Sequence, residues 1–156
     1  DGKVDALWRD AGGNIWLWKM NGAVIASAAQ VTFNAVNAIV PAAQWTLLGL
    51  ADADGDGKAD ALWRNGAGEV WQWKMNGAVI ASAAQVTFNA ANAIVPANPW
   101  EYLASADLDG DGKADSVWRN TSNGEIWAWM MNGPVIASAA RVAQGLTGNW
   151  VVQGMK

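Results

Sequence analysis

An acidic loop recurs in this chain at a fixed interval. Asp52-Ala53-Asp54-Gly55-Asp56-Gly57-Lys58-Ala59-Asp60 returns 55 residues later as Asp107-Leu108-Asp109-Gly110-Asp111-Gly112-Lys113-Ala114-Asp115, and its second half stands at the start as Asp1-Gly2-Lys3-Val4-Asp5. A tandem period of this size means stacked units, none of which can bury its own apolar face alone. Of the 14 Asp and Glu residues, 10 lie in these loops, where they repel one another unless a cation is present. The motif therefore constrains both the fold and the chemistry.

The rest of the unit aligns with the loops. Ala6-Leu7-Trp8-Arg9, Ala61-Leu62-Trp63-Arg64 and Ser116-Val117-Trp118-Arg119 follow them, then Trp16-Leu17-Trp18, Trp71-Gln72-Trp73 and Trp127-Ala128-Trp129, with one extra residue before the last block. Met-Asn-Gly comes next, at Met20, Met75 and Met131, and a lone Trp45, Trp100 or Trp150 opens the following apolar run. All 12 tryptophans are in register, four to a copy.

Short runs rich in Trp, Val, Ile and Leu, broken by Gly, Asn and Asp, read as strands. The middle copy predicts strands from Ala59 to Asn65, Glu69 to Met75 and Ala78 to Val86, preceded by one from Trp45 to Leu50, with Trp100 to Leu103 as its counterpart. Asn76-Gly77 predicts a type I′ hairpin turn, in which both residues take positive φ. Alanine content leaves helix open for Ala81-Ser82-Ala83-Ala84. The segments 32–44 and 87–99, shortened to 143–149 in the third copy, read as polar surface connections.

Apolar residues on both strand faces, with Trp71, Trp73 and Met75 opposite Val70, fit four-stranded sheets stacked face to face as propeller blades. The expected fold is an all-β propeller with three blades' worth of strands in one repeat domain over 1–156. Its copies are approximately 1–44 plus 150–156, 45–99 and 100–149. Three blades are fewer than the roughly four to eight of a closed ring, so the last strand, from Trp150 to Met155, is expected to complete a blade of another copy. Strand exchange would make a homo-oligomer, a dimer of six blades or a trimer of nine. The start inside a loop also suits a mature segment or a piece of a longer protein.

Carboxylates at loop positions 1, 3, 5 and 9, with the main-chain carbonyl of position 7 and a glycine at position 6 for the sharp turn, are the oxygen donors of a calcium loop. The expected Ca2+ ligands are Asp52, Asp54, Asp56, Lys58 through its backbone O, and Asp60 in one loop. The other uses Asp107, Asp109, Asp111, Lys113 through its backbone O, and Asp115. Asp1, Lys3 through its backbone O, and Asp5 form a partial site, expected to be empty or weakly filled. With no His or Cys in the chain, zinc is disfavoured. Trp63 and Trp118 stand where an EF-hand carries its bidentate Glu, which excludes that motif.

These loops, followed by Lys58-Ala59-Asp60-Ala61-Leu62-Trp63-Arg64-Asn65 and Gly68-Glu69-Val70-Trp71, resemble the FG-GAP or VCBS repeats of integrin-like β-propellers. The resemblance implies four-stranded blades, calcium between the first and second strands, and extracellular or cell-surface adhesion or recognition, here in a bacterium. The Phe-Gly and Gly-Ala-Pro motifs of integrin blades are not evident.

The lack of histidine removes Ser-His and Cys-His nucleophiles. The repeated carboxylates do not provide the distinct acid and base of a glycosidase, so no enzyme is expected. A net charge of -4 opposes a nucleic-acid partner, and no run approaches a membrane span of ~20 apolar residues. A binding or display role with a glycan or protein ligand remains. A lectin is the alternative, with Trp16, Trp18, Trp71, Trp73, Trp127 and Trp129 as candidate glycan contacts. Blade packing is the expected role of Trp8, Trp63 and Trp118, and Arg9, Arg64 and Arg119 are expected to bond backbone or loop carboxylates.

Overall fold

A computed structural model describes residues 5–146, all strand and loop with no helix among them. The first unit holds β1 (Ala6–Arg9), β2 (Ile15–Asn21) and β3 (Val24–Gln30), and a small hairpin of β4 (Thr32–Phe33) and β5 (Val36–Asn37) follows. The second unit is β6 (Trp45–Ala51), β7 (Asp60–Asn65), β8 (Val70–Asn76) and β9 (Val79–Gln85), followed by β10 (Thr87–Phe88) and β11 (Ala91–Asn92). The third is β12 (Trp100–Ala106), β13 (Asp115–Asn120), β14 (Glu125–Asn132) and β15 (Val135–Ala143). Within each unit successive strands pair antiparallel in chain order. The alanine-rich fourth segment is a strand, because its pairing with the third strand overrides helix propensity. The expected strand from Trp150 to Met155 lies outside the described residues.

The core lies between the units. Ile15 and Val31 of the first meet Trp63, Met75 and Ile80 of the second, while Val70 and Val86 of the second meet Trp118, Met131 and Ile136 of the third. Each sheet is thus buried by its neighbour, as the two-faced apolar pattern requires. The first strands β6 and β12 are in contact, and an added Cβ on Gly49 would stand 2.6 Å from the Tyr102 hydroxyl.

Two local expectations are corrected. Asn76 pairs with Val79, so the turn residues are Gly77 and Ala78, and only Gly77 has positive φ, at 60°. That is the φ pattern of type II′, with glycine first. The third unit has Gly133-Pro134 at the same place, and proline could not take a positive φ at the second position. The type I′ pattern instead occurs at Asn34-Ala35 and Asn89-Ala90, with φ of 50° and 61°, and of 51° and 62°.

The connections 32–44 and 87–99 are also more than surface loops. Each begins with a two-stranded arm that pairs in parallel with the fourth strand of the next unit, Phe33 opposite Ile80 and Phe88 opposite Ile136. In the third unit the arm is missing: Leu146 N–H bonds Gly124 O as Val95 bonds Gly68 O and Val40 bonds Gly13 O, without the excursion between. The arm's effect shows at Ile80 and Ile136, which are 3% and 4% exposed under it, whereas Ile25 of the first unit is 45% exposed.

Candidate metal centre

Each complete loop joins the first strand of its unit to the second. Glycines at positions 4 and 6 take φ of 80° and 81° at Gly55 and Gly57, and of 82° and 83° at Gly110 and Gly112. Glycine at position 4 of both loops is as strong a signal in the sequence as glycine at position 6. Two left-handed residues so close together fold the chain back over the first aspartate, a conformation that a side chain would strain. Asp52 Oδ1 accepts from Gly55 N–H at 2.7 Å and Oδ2 from Gly57 N–H at 2.7 Å. Asp107 repeats this with Gly110 and Gly112, at 2.7 and 3.0 Å.

The last aspartate is the innermost. Asp60 and Asp115 are buried at the start of β7 and β13. Asp60 Oδ1 accepts from Met75 N–H at 2.9 Å, and Asp115 Oδ1 from Met131 N–H at 2.8 Å. Those amides are available because the third strand is irregular in register just before each Met. Asp5 Oδ1 makes the same bond to Met20 N–H, 3.0 Å long. The position 9 aspartate therefore ties each loop to the irregularity of its own sheet, as its strand location suggests.

Carboxylate oxygens of Asp52, Asp54 and Asp60 lie within 4.8 Å of one another, and those of Asp107, Asp109 and Asp115 do the same. Among the expected ligands, Asp56 and Asp111 stand outside these triads: each accepts from the following lysine's amide, at 3.0 and 2.8 Å, and pairs with its ammonium, at 3.4 and 2.9 Å. Lys58 is exposed and Lys113 half-buried. Asp1 and Lys3 of the partial site are outside the described residues.

The loops also hold neighbouring units together. Asp52 C=O accepts from Ala114 N–H at 2.6 Å and Ala53 C=O from Gly133 N–H at 2.9 Å, so the second loop is bonded to the third unit's loop and hairpin turn.

The electrostatics fit a hard divalent cation. Burial pushes the Asp60 carboxyl up to about 6, against hydrogen bonds from Met75 and Ala53, and the charges of Asp54 and Asp56 add to the rise. Burial likewise raises Asp115, with Asp109 and Asp111 contributing. Without a cation each inner carboxylate resists ionisation; a doubly charged ion among the triad would reverse that, and all three donors are oxygen. The residues present therefore could hold a metal ion.

A family model, that of the FG-GAP-like repeat, matches residues 52–118, from the first aspartate of one complete loop to the buried tryptophan after the other. This segment is similar to an FG-GAP-like repeat. No curated protein and no solved structure matches the chain. The FG-GAP-like segment thus contains both carboxylate triads.

One pair of tryptophans in each unit packs across adjacent strands with tilted rings. Trp63 and Trp73 have ring centroids 5.0 Å apart, Trp118 and Trp129 also 5.0 Å, and Trp8 and Trp18 4.8 Å. Trp71 meets Trp45 edge-on at 6.4 Å, Trp127 bonds Glu125 through Nε1 at 3.1 Å, and Trp16 is half-buried in β2. Trp63 and Trp118 are in the core as expected, but Trp8 is 51% exposed. The reason is the arginine beside each tryptophan, which reaches forward. Arg9 lies over the Trp63 ring and donates to Trp45 O at 2.7 Å, while Arg64 lies over the Trp118 ring and donates to Trp100 O at 3.0 Å. Trp8 has no preceding unit among the described residues to provide that cover. Arg119 pairs instead with Glu101, at 2.6 Å.

Proposed function

We propose that the chain is a calcium-stabilised β-propeller module for binding or display, extracellular or on a cell surface, without catalytic activity of its own. The observation that carries this reading is the pair of carboxylate triads, each with a buried inner aspartate and each built into the joint between the first two strands of its sheet. Calcium is favoured over magnesium because flexible carboxylates and carbonyls meet its larger, less regular coordination shell, whereas magnesium demands a near-ideal octahedron. Asp52, Asp54 and Asp60 in one loop, and Asp107, Asp109 and Asp115 in the other, would hold the ion; it would neutralise the cluster and fix the loop against the next unit. The two triads have the same three carboxylates, each with one buried inner aspartate, and paired acid–base chemistry needs two unlike groups at one site. No helix among the described residues is long and apolar enough to cross a membrane.

Exposed Trp8 and Ile25 support completion of the ring by a second copy of the chain. Their counterparts Trp63 and Ile80 are covered by the preceding unit, so this face is built to receive another unit of the same kind.

Calorimetric titration of the metal-stripped chain tests the calcium reading. Saturable binding near two equivalents, one per triad, with magnesium much weaker, is expected; no calcium binding at millimolar concentration would overturn it. A glycan array tests the lectin alternative. The cleft beside Trp73 is lined by Phe33, Val36, Ile39 and Ile80 with Asn37 the one polar side chain, a poor match for a sugar's many hydroxyls. Calcium-dependent retention of a defined glycan would show that a sugar is the displayed module's ligand.

A further inference from the structure

The two complete loops share the pattern Asp-x-Asp-Gly-Asp-Gly-Lys-Ala-Asp, and their main-chain hydrogen bonds correspond closely. Their surroundings differ in three ways: Gln72 Nε2 donates to Asp60 Oδ2 at 3.4 Å where the third unit has Ala128, the third unit bonds the carbonyls of Asp52 and Ala53, and one charged residue of the third strand is replaced. The residue before the bulged methionine of the third strand is Lys74 in the second unit and Met130 in the third. The Lys74 ammonium bonds the Asp54 carboxylate and lies 3.2 Å from Asp56 Oδ2. In the third unit the ammonium of Lys113 pairs with Asp111, as Lys58 does with Asp56. Among the described residues no lysine or arginine is ion-paired with Asp109, the counterpart of Asp54. The second triad thus contains a carboxylate already engaged by a cation from its own sheet, and the third does not.

We infer that Lys74 is a tethered counter-ion that competes with the metal, so that the third unit's loop fills with calcium at lower concentration than the second's. The inference rests on the reading that both loops bind calcium. Lys74 holds Asp54 through Oδ2, so that oxygen reaches the ion only when the ammonium leaves, and displacing an ammonium from two partly exposed partners opposes binding. The Lys74 side chain is partly exposed and pairs with Asp54 and Asp56 but not with the buried Asp60, so it leaves the inner carboxylate unneutralised and the loop still open to metal. Its benefit is at low calcium. The second loop donates the carbonyls that hold the third unit, Asp52 O to Ala114 N–H and Ala53 O to Gly133 N–H, and a resident cation lessens carboxylate repulsion there before any metal arrives. The two loops would then divide the work, one held partly by its own lysine and the other responding first to calcium.

Calorimetry at fixed ionic strength on single-loop chains tests this. D109A reports the second loop and D54A the third, with the partial first site common to both. We expect calcium to bind D109A roughly three- to tenfold more weakly than D54A, in proportion to one or two exposed ion pairs. Adding K74M to D109A should recover the difference, and adding M130K to D54A should weaken the third loop to a similar extent. K74Q is the second variant should the methionine disturb folding, and it should also recover binding. Equal affinities in D109A and D54A, or K74M and K74Q both without effect, would overturn the competition while leaving the calcium reading intact. No binding in any chain, the parent included, would overturn both.

Discussion

At the residue scale, the repeated arginine has the clearest role. Arg64 is both a donor to Trp100 O and a cation over the Trp118 ring, so it joins the second unit to the third. R64A should lower unfolding free energy by ~1–3 kcal/mol, the sum of a charge-assisted bond and a cation–π contact. R64K should recover little, because an ammonium cannot repeat the planar stacking and forked donation; denaturant unfolding showing R64K equal to the parent would contradict this. Ala90 is the reverse case, an alanine held at φ 62°. Relief of ~1–2 kcal/mol of left-handed strain, less the ~0.5–1 kcal/mol of added chain entropy in the unfolded state, makes A90G stabilising by up to ~1.5 kcal/mol; a lower midpoint for A90G would refute it. The sign at Asp60 also yields a prediction. Its carboxyl is raised to about 6 in the folded chain, so the folded state retains a proton that the unfolded state has lost. In chelator, stability should therefore fall as pH rises from about 4 to 6, and calcium should remove that fall by favouring the ionised form. The arginines and the loop aspartates could be singled out by their recurrence. Positive φ at Ala35 and Ala90 could not, since nothing in an alanine marks it for a left-handed turn.

At the scale of elements, the third unit already carries a natural deletion. It lacks the arm present after β3 and after β9, yet closes its last strand with the same main-chain bond, Leu146 to Gly124. Replacing the β10–β11 excursion with the third unit's short connection should leave the second sheet formed while uncovering Ile136. Loss of roughly one buried isoleucine predicts destabilisation by ~1.5–3 kcal/mol, measured by thermal unfolding; an unchanged midpoint would show that the arm contributes no cover. The strands themselves were legible, because period-two apolar runs and recurrent Trp-x-Trp pairs leave few alternatives. The arms were not, since two-residue strands such as Thr87–Phe88 exist only through pairing with a distant partner. The hairpin turn was misplaced by one residue for a related reason: Asn-Gly is a strong local signal, but register across the irregularity before Met75 moves the turn to Gly77-Ala78.

At the scale of the molecule, the sheets are stabilised by one another, and the first described unit shows a face that the second and third hide. The exposed Trp8 and Ile25 are that face. W8E should prevent association of copies while sparing the internal cores, and the parent in solution should have a mass of at least two chains. A parent that sedimented as a monomer would contradict ring completion by copies. The three-, four- and four-stranded units were predictable from the 55-residue register. The face that accepts an arm was not, because it is defined by what covers it elsewhere. The loops connect these scales: an aspartate buried by one sheet belongs to a loop whose carbonyls hold the next. If calcium completes those joints, metal binding and folding are linked, and the midpoint must rise with calcium. Thermal unfolding of the metal-stripped chain in chelator and in millimolar calcium at neutral pH tests this most directly. A clearly higher midpoint with calcium, not reproduced by equal magnesium, is predicted; identical midpoints in chelator and calcium would contradict a calcium-stabilised module.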